Sequence, residues 1–226
     1  KDEIIKALPS NGCFYDIGAN IGIYSLYIKI KKPDSYIYCF EPHKKSYEAL
    51  KKTFQENDFK NISTFKKAIG LKNEEKELYT SSKNDGGHTL SPNFQRNDKN
   101  ANDYEKIEII NLDEYIKENG LLPPDVIKID VERFEHEVIK GLKQTIKKYK
   151  PVLVIECSQI DLINKKNIWK TLKEFEELGL FARIPGESKK FDLNALSKVA
   201  YDAYENNRDR PLSNYLFLFP NDENAI

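Results

Sequence analysis

Residues 14–28 read Phe14-Tyr15-Asp16-Ile17-Gly18-Ala19-Asn20-Ile21-Gly22 and then Ile23-Tyr24-Ser25-Leu26-Tyr27-Ile28. A short apolar run, a turn that uses glycine twice and an apolar stretch of helical type predict a strand, a glycine-rich loop and a helix. Glycines let the backbone approach a ligand closely, and the first N–H groups of a helix are free to bind an anion. Asp16 adds a carboxylate just ahead of the turn.

The segments on either side of this loop alternate between strand and helix patterns. This alternation predicts parallel crossovers, and therefore an α/β fold with a Rossmann-like, doubly wound sheet. Asn20 is a plausible N-cap for the helix that follows the loop. The predicted strands are Cys13 to Ile17, Ser35 to Phe40, Ile62 to Ile69, Asp125 to Val131, Pro151 to Glu156, Phe181 to Ile184 and Tyr215 to Phe219, with short strands at Glu77 to Thr80 and Ile107 to Ile110. The predicted helices are Ile21 to Lys31, Lys44 to Glu56, Leu112 to Asn119, Val138 to Tyr149 and Ile168 to Leu178, with shorter ones over Lys1 to Leu8 and around Leu193 to Tyr204.

A chain of 226 residues can bury one substantial core without dividing. We therefore expect a single domain over residues 1–226, with polar insertions at about 81–106 and 185–211. Polar loops of this length are more often functional than neutral. The first insertion contains His88 in the run Asp85-Gly-Gly-His-Thr89.

The composition argues against several classes of protein. Lys and Arg (36) balance Asp and Glu (36) to a net charge of zero, so no nucleic-acid partner is expected. No apolar run approaches the roughly 18 residues of a membrane span, and residues 1–10 lack the layout of a signal peptide, so we expect a cytoplasmic protein. Cys13, Cys39 and Cys157 show no metal-ligand spacing and are expected to be buried thiols, with no metal site. The oligomeric state and the presence of a segment before Lys1 stay open.

The predicted strands deliver chemically useful groups to one edge of the sheet. In a doubly wound sheet, ligands bind outside the carboxyl ends of the strands. Those ends carry Asp16 with the glycine turn, Glu41, the Lys67-Ala68 pair and Asp130. Glu41 follows the turn by some twenty residues, where a carboxylate can accept hydrogen bonds from both hydroxyls of a ribose. A nucleoside-containing cofactor is therefore predicted.

The loop sequence narrows the choice of cofactor. Gly18-Ala-Asn-Ile-Gly22 lacks the second glycine of the dinucleotide-binding fingerprint, against which a pyrophosphate would lie, and it is not a P-loop. S-adenosylmethionine, which has a ribose but no phosphate, fits better. A nicotinamide-dependent oxidoreductase is the alternative enzyme.

Several motifs in the chain resemble those of the FkbM-type methyltransferases. They are Asp16 to Gly22, Phe40-Glu-Pro42, Leu112-Asp113, Lys128-Ile-Asp-Val-Glu132, Glu135, Gly141-Leu142 and Pro151 with Ile155-Glu156. The resemblance implies a seven-stranded sheet whose last strand is antiparallel. It also implies methyl transfer from S-adenosylmethionine, usually to a hydroxyl of a sugar or another small molecule, so a small-molecule or glycan acceptor is expected.

The resemblance and the strand ends together define the candidate site. Candidates for the group that removes the acceptor's proton are Asp130, Glu132, Glu135 and His88. Arg133 departs from the glycine usual in the family at that position: it either tolerates the backbone angles that favour glycine or adds a cation near the acceptor. A homologue that binds the cofactor without turnover is a further alternative. The expected cofactor-binding residues are Asp16, Gly18, Ala19, Asn20, Gly22, Ser25, Glu41, Pro42, Lys67, Ala68 and Asp130.

Overall fold

A computed structural model of the chain describes residues 1–79, 90, 104–156, 167–183, 190–192, 195, 198, 201–202 and 214–218. The two predicted insertions lie largely outside these residues. His88 and Cys157 lie wholly outside them, so the fold and site are built from the remaining candidates.

Strands and helices alternate through most of the described chain. The strands are β1 Cys13–Ile17, β2 Tyr36–Phe40, β3 Ile62–Phe65, β4 Ala68–Ile69, β5 Glu74–Tyr79, β6 Tyr104–Ile110, β7 Val126–Ile129, β8 Val152–Glu156, β9 Phe181–Arg183, β10 Lys190–Phe191 and β11 Asn214–Leu218. The helices are α1 Asp2–Ala7, α2 Ile23–Lys31, α3 Lys44–Glu56, α4 Leu112–Asn119, α5 Glu135–Gly141, α6 Lys143–Tyr149 and α7 Asn167–Glu177.

The main sheet has the strand order β10-β9-β11-β8-β7-β1-β2-β3. The five strands from β8 to β3 pair in parallel, and β11, β9 and β10 extend the sheet through antiparallel pairs. The expectation of seven strands with an antiparallel last strand is corrected: among the described residues, the sheet has eight strands around a parallel core of five. The two-residue strand β10 lies within the second predicted insertion, where the sequence shows loop composition.

A second, smaller sheet has the order β4-β6-β5. The single strand predicted over Ile62 to Ile69 is wrong, because Phe65 pairs with Phe40 in the main sheet whereas Ala68 pairs with Ile109 in the small one. Lys66 and Lys67 connect the two sheets. Successive side chains of a strand point to opposite faces, so two adjacent lysines interrupt the alternation of apolar and polar residues at the position of the break.

Apolar side chains cover both faces of the main sheet, as a doubly wound fold requires. Along β1, Tyr15 and Ile17 face a core formed with helices α4 to α7, while Phe14 faces a core formed with α1 to α3. Successive strand residues point to opposite faces, which is why the continuous apolar run of β1 serves two cores. The predicted doubly wound arrangement is confirmed.

Two helix predictions need correction. The helix after the loop begins at Ile23 with Gly22 at its N-cap position, and Asn20 makes no cap. The helix predicted over Val138 to Tyr149 is divided into α5 and α6 at Leu142. The division depends on Asp113, whose carboxylate accepts hydrogen bonds from the free amides of the first turn of α6, at 2.8 Å from Gln144 N and 2.7 Å from Thr145 N.

Candidate active site

The loop after β1 folds so tightly that its two glycines have no room for a side chain. Gly18 has φ 73°, and a Cβ atom there would lie 1.8 Å from the carbonyl oxygen of Asp130. Gly22 has φ 86°, and its Cβ would lie 2.4 Å from Leu50 Cδ1. The amides of Gly18 and Ala19 both donate to the carbonyl of Phe40, at 3.0 and 3.1 Å. The loop is therefore held against the ends of β2 and β7.

Asn20 connects this loop to the acid that follows β2. It adopts a left-handed conformation with φ 50°, which asparagine tolerates better than most residues. Its amide donates to Glu41 Oε2 at 2.8 Å. Its side-chain Oδ1 is buried and has no hydrogen-bond partner among the described residues. Buried polar atoms are nearly always hydrogen-bonded, so this oxygen is suited to accept a hydrogen bond from a bound ligand.

Glu41 is fixed at the same place by two backbone amides. Oε1 accepts from His43 N at 2.8 Å and Oε2 accepts from Asn20 N at 2.8 Å. Burial raises the pKa of Glu41 to about 7, although both amide bonds lower it. Each carboxylate oxygen can accept more than one hydrogen bond, so Glu41 keeps acceptor sites for the hydroxyls of a ribose.

Asp16 and Ser25 lie beneath the loop, where both are fully buried. Ser25 Oγ donates to Asp16 Oδ2 at 2.7 Å. Lys128 Nζ lies 3.2 Å from Asp16 Oδ1 and 3.3 Å from Asp130 Oδ2, and it donates to the carbonyl of Gly18 at 2.8 Å. Burial alone would lower the pKa of Lys128, but the two carboxylates raise it above its usual value. This buried cation thus joins the glycine loop to the end of β7.

A pocket of about 260 Å³ opens at the carboxyl edge of the parallel strands. The glycine loop and Glu41 line one side, and the small sheet closes another side through Ala68, Ile69 and Leu78. Among the predicted site residues it brings together Gly18, Asn20, Glu41, Pro42, Lys67, Ala68, Asp130 and Glu132. The other described candidates, Asp16, Ala19, Gly22, Ser25 and Glu135, lie outside its lining.

The ends of β7 and β8 form an acidic wall of the pocket. Ile129 and Ile155 are partners in the register of these parallel strands, so the residues that follow them, Asp130 and Glu156, are neighbours. Both side chains line the pocket. Burial and the neighbouring acids raise the pKa of Glu156 to about 8, and burial and Asp130 raise the pKa of Glu132 as well.

The turn between β7 and α5 contains two consecutive left-handed residues, Glu132 at φ 49° and Arg133 at φ 76°. Arg133 therefore adopts the backbone angles that favour glycine. Glu135 closes this turn, because its Oε1 accepts from Arg133 N at 3.1 Å. Burial raises the pKa of Glu135 to about 7 while backbone amides, including those of Val131 and Arg133, lower it. Glu135 supports the turn and lies outside the lining of the pocket, so its candidacy as the base stays a prediction.

Several pocket residues did not appear among the predicted site residues. Glu156 lies at the end of a strand, as Glu41 and Asp130 do, so it could have been predicted from the rule that ligands bind at the carboxyl ends of parallel strands. Ser46, Phe134 and Leu90 come from a helix, a turn and the first insertion. They reach the pocket only through packing, and the sequence carries no signal for that. Lys128 lies within the quoted motif, yet its role as a buried cation depends on the position of Asp16 on a neighbouring strand.

Within the described part of the chain, no group of three or more His, Cys, Asp or Glu residues could hold a metal ion. Among the described helices, none is both long and apolar enough to cross a membrane.

The fold and the pocket define a Rossmann-like α/β protein, and solved structures with this fold include methyltransferases. A methyltransferase FkbM from Methylobacillus flagellatus KT aligns with a TM-score of 0.51 and 16% identity, over 94% of this chain and 47% of that one. An rRNA methylase from Streptococcus thermophilus aligns with a TM-score of 0.54 and 8% identity, over 96% and 92% of the two chains. At such low identity these likenesses concern the fold alone.

The family of this protein is shown by a comparison of its sequence with a family profile. The family profile described as "Methyltransferase FkbM domain" matches residues 16–179, well over half of the chain. The protein belongs to the FkbM methyltransferase family, which confirms the resemblance and the expected cofactor, S-adenosylmethionine.

Two curated relatives are also methyltransferases. Methyltransferase sdnD of Sordaria araneosa is 28% identical over 165 residues, which cover 62% of this chain and 64% of that protein. Methyltransferase 1 of Beauveria bassiana (strain ARSEF 2860) is 22% identical over 152 residues, 61% of each protein. The match therefore spans less than two thirds of the length of either relative.

Proposed function

We propose that this protein transfers a methyl group from S-adenosylmethionine to a hydroxyl of a carbohydrate or a similar small molecule. One observation carries the proposal. A single pocket has Asn20 and Glu41, which can hold a nucleoside, on one side and the acids Asp130 and Glu132, which can take up a proton, on another.

The residues present fit the cofactor. Gly18 gives a loop that no side chain obstructs, Asn20 offers an unpaired buried oxygen, and Glu41 offers carboxylate oxygens to a ribose. Pro42, Lys67 and Ala68 complete the proposed cofactor-binding wall. The other predicted cofactor-binding residues lie outside the pocket lining and act indirectly, by holding the loop in place; they are Asp16, Ala19, Gly22 and Ser25. S-adenosylmethionine, when bound, supplies a methyl group already activated by a positively charged sulfur.

The protein's task is then to align the acceptor hydroxyl and to remove its proton. We assign the proton acceptor to Asp130, because it lines the pocket and its carboxylate is supported by Lys128 at 3.3 Å. Glu132 is the second candidate in the same wall, and His88 stays a candidate outside the described residues.

The proposal also includes the other expectations drawn from the sequence. They are one domain over residues 1–226, a small-molecule or glycan acceptor, no nucleic-acid partner and a cytoplasmic location. Membership of the FkbM family disfavours the nicotinamide-dependent oxidoreductase. A homologue that binds the cofactor without turnover is the rival to be tested.

Two measurements test the proposal. Calorimetry with S-adenosylhomocysteine and with NADH should show binding of the first only. A screen with methyl-labelled S-adenosylmethionine against sugars, nucleotide sugars and glycans should then find an acceptor. Cofactor binding without transfer to any hydroxylated compound would favour the non-catalytic rival.

The assignment of Asp130 has its own variant. Asp130→Asn should slow methyl transfer far more than it weakens binding of S-adenosylhomocysteine, while Asp58→Asn, an exposed change outside the pocket, should alter neither. An equal loss of turnover and affinity in Asp130→Asn would make Asp130 a cofactor ligand instead of the base.

A further inference from the structure

Part of the pocket lining is an apolar wall, formed by the side chains of Ile69, Leu78, Leu90 and Phe134. Leu90 and Phe134 pack against the buried cluster that contains Leu78. None of the four side chains carries a hydrogen-bond donor or acceptor. A sugar hydroxyl placed against them would lose its hydrogen bonds to water without a replacement, whereas an alkyl or aromatic group would gain from burial.

The hydrogen-bonding groups expected to hold the ribose of the cofactor come from other elements. Asn20 and Glu41 follow β1 and β2, and the buried Ser46 adds a hydroxyl from α3. Ser46 Oγ lies 3.0 Å from His43 Nδ1, and His43 N donates to Glu41 Oε1 at 2.8 Å. The Glu41 side of the pocket is therefore rich in the polar groups that the apolar wall lacks.

Phe134 places the apolar wall next to the acids of the proposed transfer site. It follows Glu132 by two residues, so the Cα atoms of the two are at most about 7.6 Å apart, and both side chains line the pocket. A Cβ atom at Gly70 would lie 3.4 Å from Phe134 Cε1, so the ring packs against the residue that follows β4. A ligand that presents a hydroxyl to Asp130 or Glu132 thus has neighbouring atoms within reach of the apolar wall.

We propose that the acceptor carries an alkyl or aryl group close to the hydroxyl that is methylated, and that the apolar wall binds this group. The proposal rests on the proposed function, because it takes Asp130 and Glu132 to mark the place of methyl transfer. Burial of apolar surface then selects the acceptor, while hydrogen bonds on the Glu41 side hold the cofactor. A glycoside with an apolar aglycone fits such a pocket better than a simple sugar, which has a hydroxyl on almost every carbon.

The compounds n-butyl β-D-glucoside and methyl β-D-glucoside form a matched pair of probes, because they differ by three methylene groups. Calorimetry measures the binding of each to the wild-type protein saturated with S-adenosylhomocysteine. Burial of one methylene strengthens binding by about threefold to fourfold, so the butyl glycoside should bind at least about fivefold more tightly than the methyl glycoside. A smaller gain, or detectable binding of neither glycoside, would overturn the proposal.

Leu78→Ala shortens one side chain of the apolar wall, and Leu71→Ala is the matched control. Leu71 is exposed and lies outside the pocket lining. Leu78→Ala should reduce the preference for the butyl glycoside by about threefold or more and leave the affinity for S-adenosylhomocysteine unchanged, whereas Leu71→Ala should alter neither. A loss of affinity for S-adenosylhomocysteine in folded Leu78→Ala would assign the wall to the adenine of the cofactor and overturn the proposal.

The outcomes separate this inference from the proposed function. If S-adenosylhomocysteine binds the wild type but the alkyl chain adds nothing to the binding of a glycoside, the apolar acceptor group is overturned while the cofactor site stands. If S-adenosylhomocysteine does not bind the wild type, the proposed function fails and the inference fails with it. The wild-type comparison decides the point even if Leu78→Ala does not fold.

Discussion

The buried ion pair beneath the glycine loop gives a quantitative prediction for Lys128→Met. Lys128 is almost completely buried, and so is Asp16, whose carboxylate lies 3.2 Å from its ammonium group. Removal of one partner of a buried pair leaves an uncompensated charge and typically costs about 3–5 kcal/mol. Because the variant also loses the hydrogen bond to the Gly18 carbonyl, we expect a loss in this range in the free energy of unfolding.

Urea unfolding followed by circular dichroism measures this loss, and Lys52→Met is the matched control. Lys52 forms an exposed pair with Glu56 at 3.7 Å, and such surface pairs contribute about 0–1 kcal/mol. Asp16→Asn combined with Lys128→Met should cost less than the sum of the single changes, because the second change removes the charge that the first leaves unpaired. The difference expected for contacting residues is about 0.5–3 kcal/mol.

The pH dependence of this effect has a definite sign. The neighbouring carboxylates raise the pKa of Lys128 in the folded protein. A lysine whose pKa is raised by folding stabilises the folded protein fully at any pH below its pKa in the unfolded chain, about 10.4. This stabilisation is lost as the pH rises through its pKa in the folded protein. The cost of Lys128→Met should therefore be undiminished at neutral pH. The account of the ion pair would be refuted if Lys128→Met lowered the free energy of unfolding by less than about 1 kcal/mol at neutral pH. It would also be refuted if the effects of Asp16→Asn and Lys128→Met were additive.

Three further predictions concern the loop and the turn. Gly18→Ala places a Cβ atom 1.8 Å from a backbone oxygen, so it should abolish binding of S-adenosylhomocysteine. It should also lower the free energy of unfolding by more than Gly120→Ala does. Gly120 has a similar φ but open space around it, so the loss expected there is roughly 1 kcal/mol. Glu41→Ala should weaken that binding about tenfold or more, since hydrogen bonds to a charged group are worth about 1.5–3 kcal/mol, while the fold stays intact by circular dichroism. Arg133→Gly should raise the free energy of unfolding by about 1 kcal/mol, because its φ of 76° is strained for a side chain.

Each of these predictions has an outcome that would contradict it. Equal losses in Gly18→Ala and Gly120→Ala would show that the loop can open to admit a side chain. Unchanged affinity in Glu41→Ala would remove the ribose assignment. A destabilised Arg133→Gly would mean that contacts of the Arg133 side chain outweigh its backbone strain.

Local sequence signals predicted much of the fold. The bounds of β1 and α3 agree with prediction, because the apolar run of β1 and the helical pattern of α3 are set by neighbouring residues. The glycine loop, Glu41 and Asp130 were found for the same reason: each directly follows a strand, and strand ends meet at one edge of a parallel sheet. Two strands of the small sheet were predicted at Glu77 to Thr80 and Ile107 to Ile110, but their assembly with Ala68 and Ile69 into a second sheet was not. The division of α5 from α6 was missed as well. Both depend on residues distant in sequence, through pairing with Ile109 and capping by Asp113.

The sequence by itself determined the glycine loop, the parallel core and the family, because each depends on short motifs and on their order along the chain. Only the tertiary structure decided what each acid does. Asp16 supports the loop as half of a buried ion pair, Glu135 closes a turn, and Asp130 and Glu156 lie at the ends of neighbouring strands and line the same pocket. The physical reason is that burial and charged neighbours set the role of a carboxyl group, and both come from residues distant in the chain.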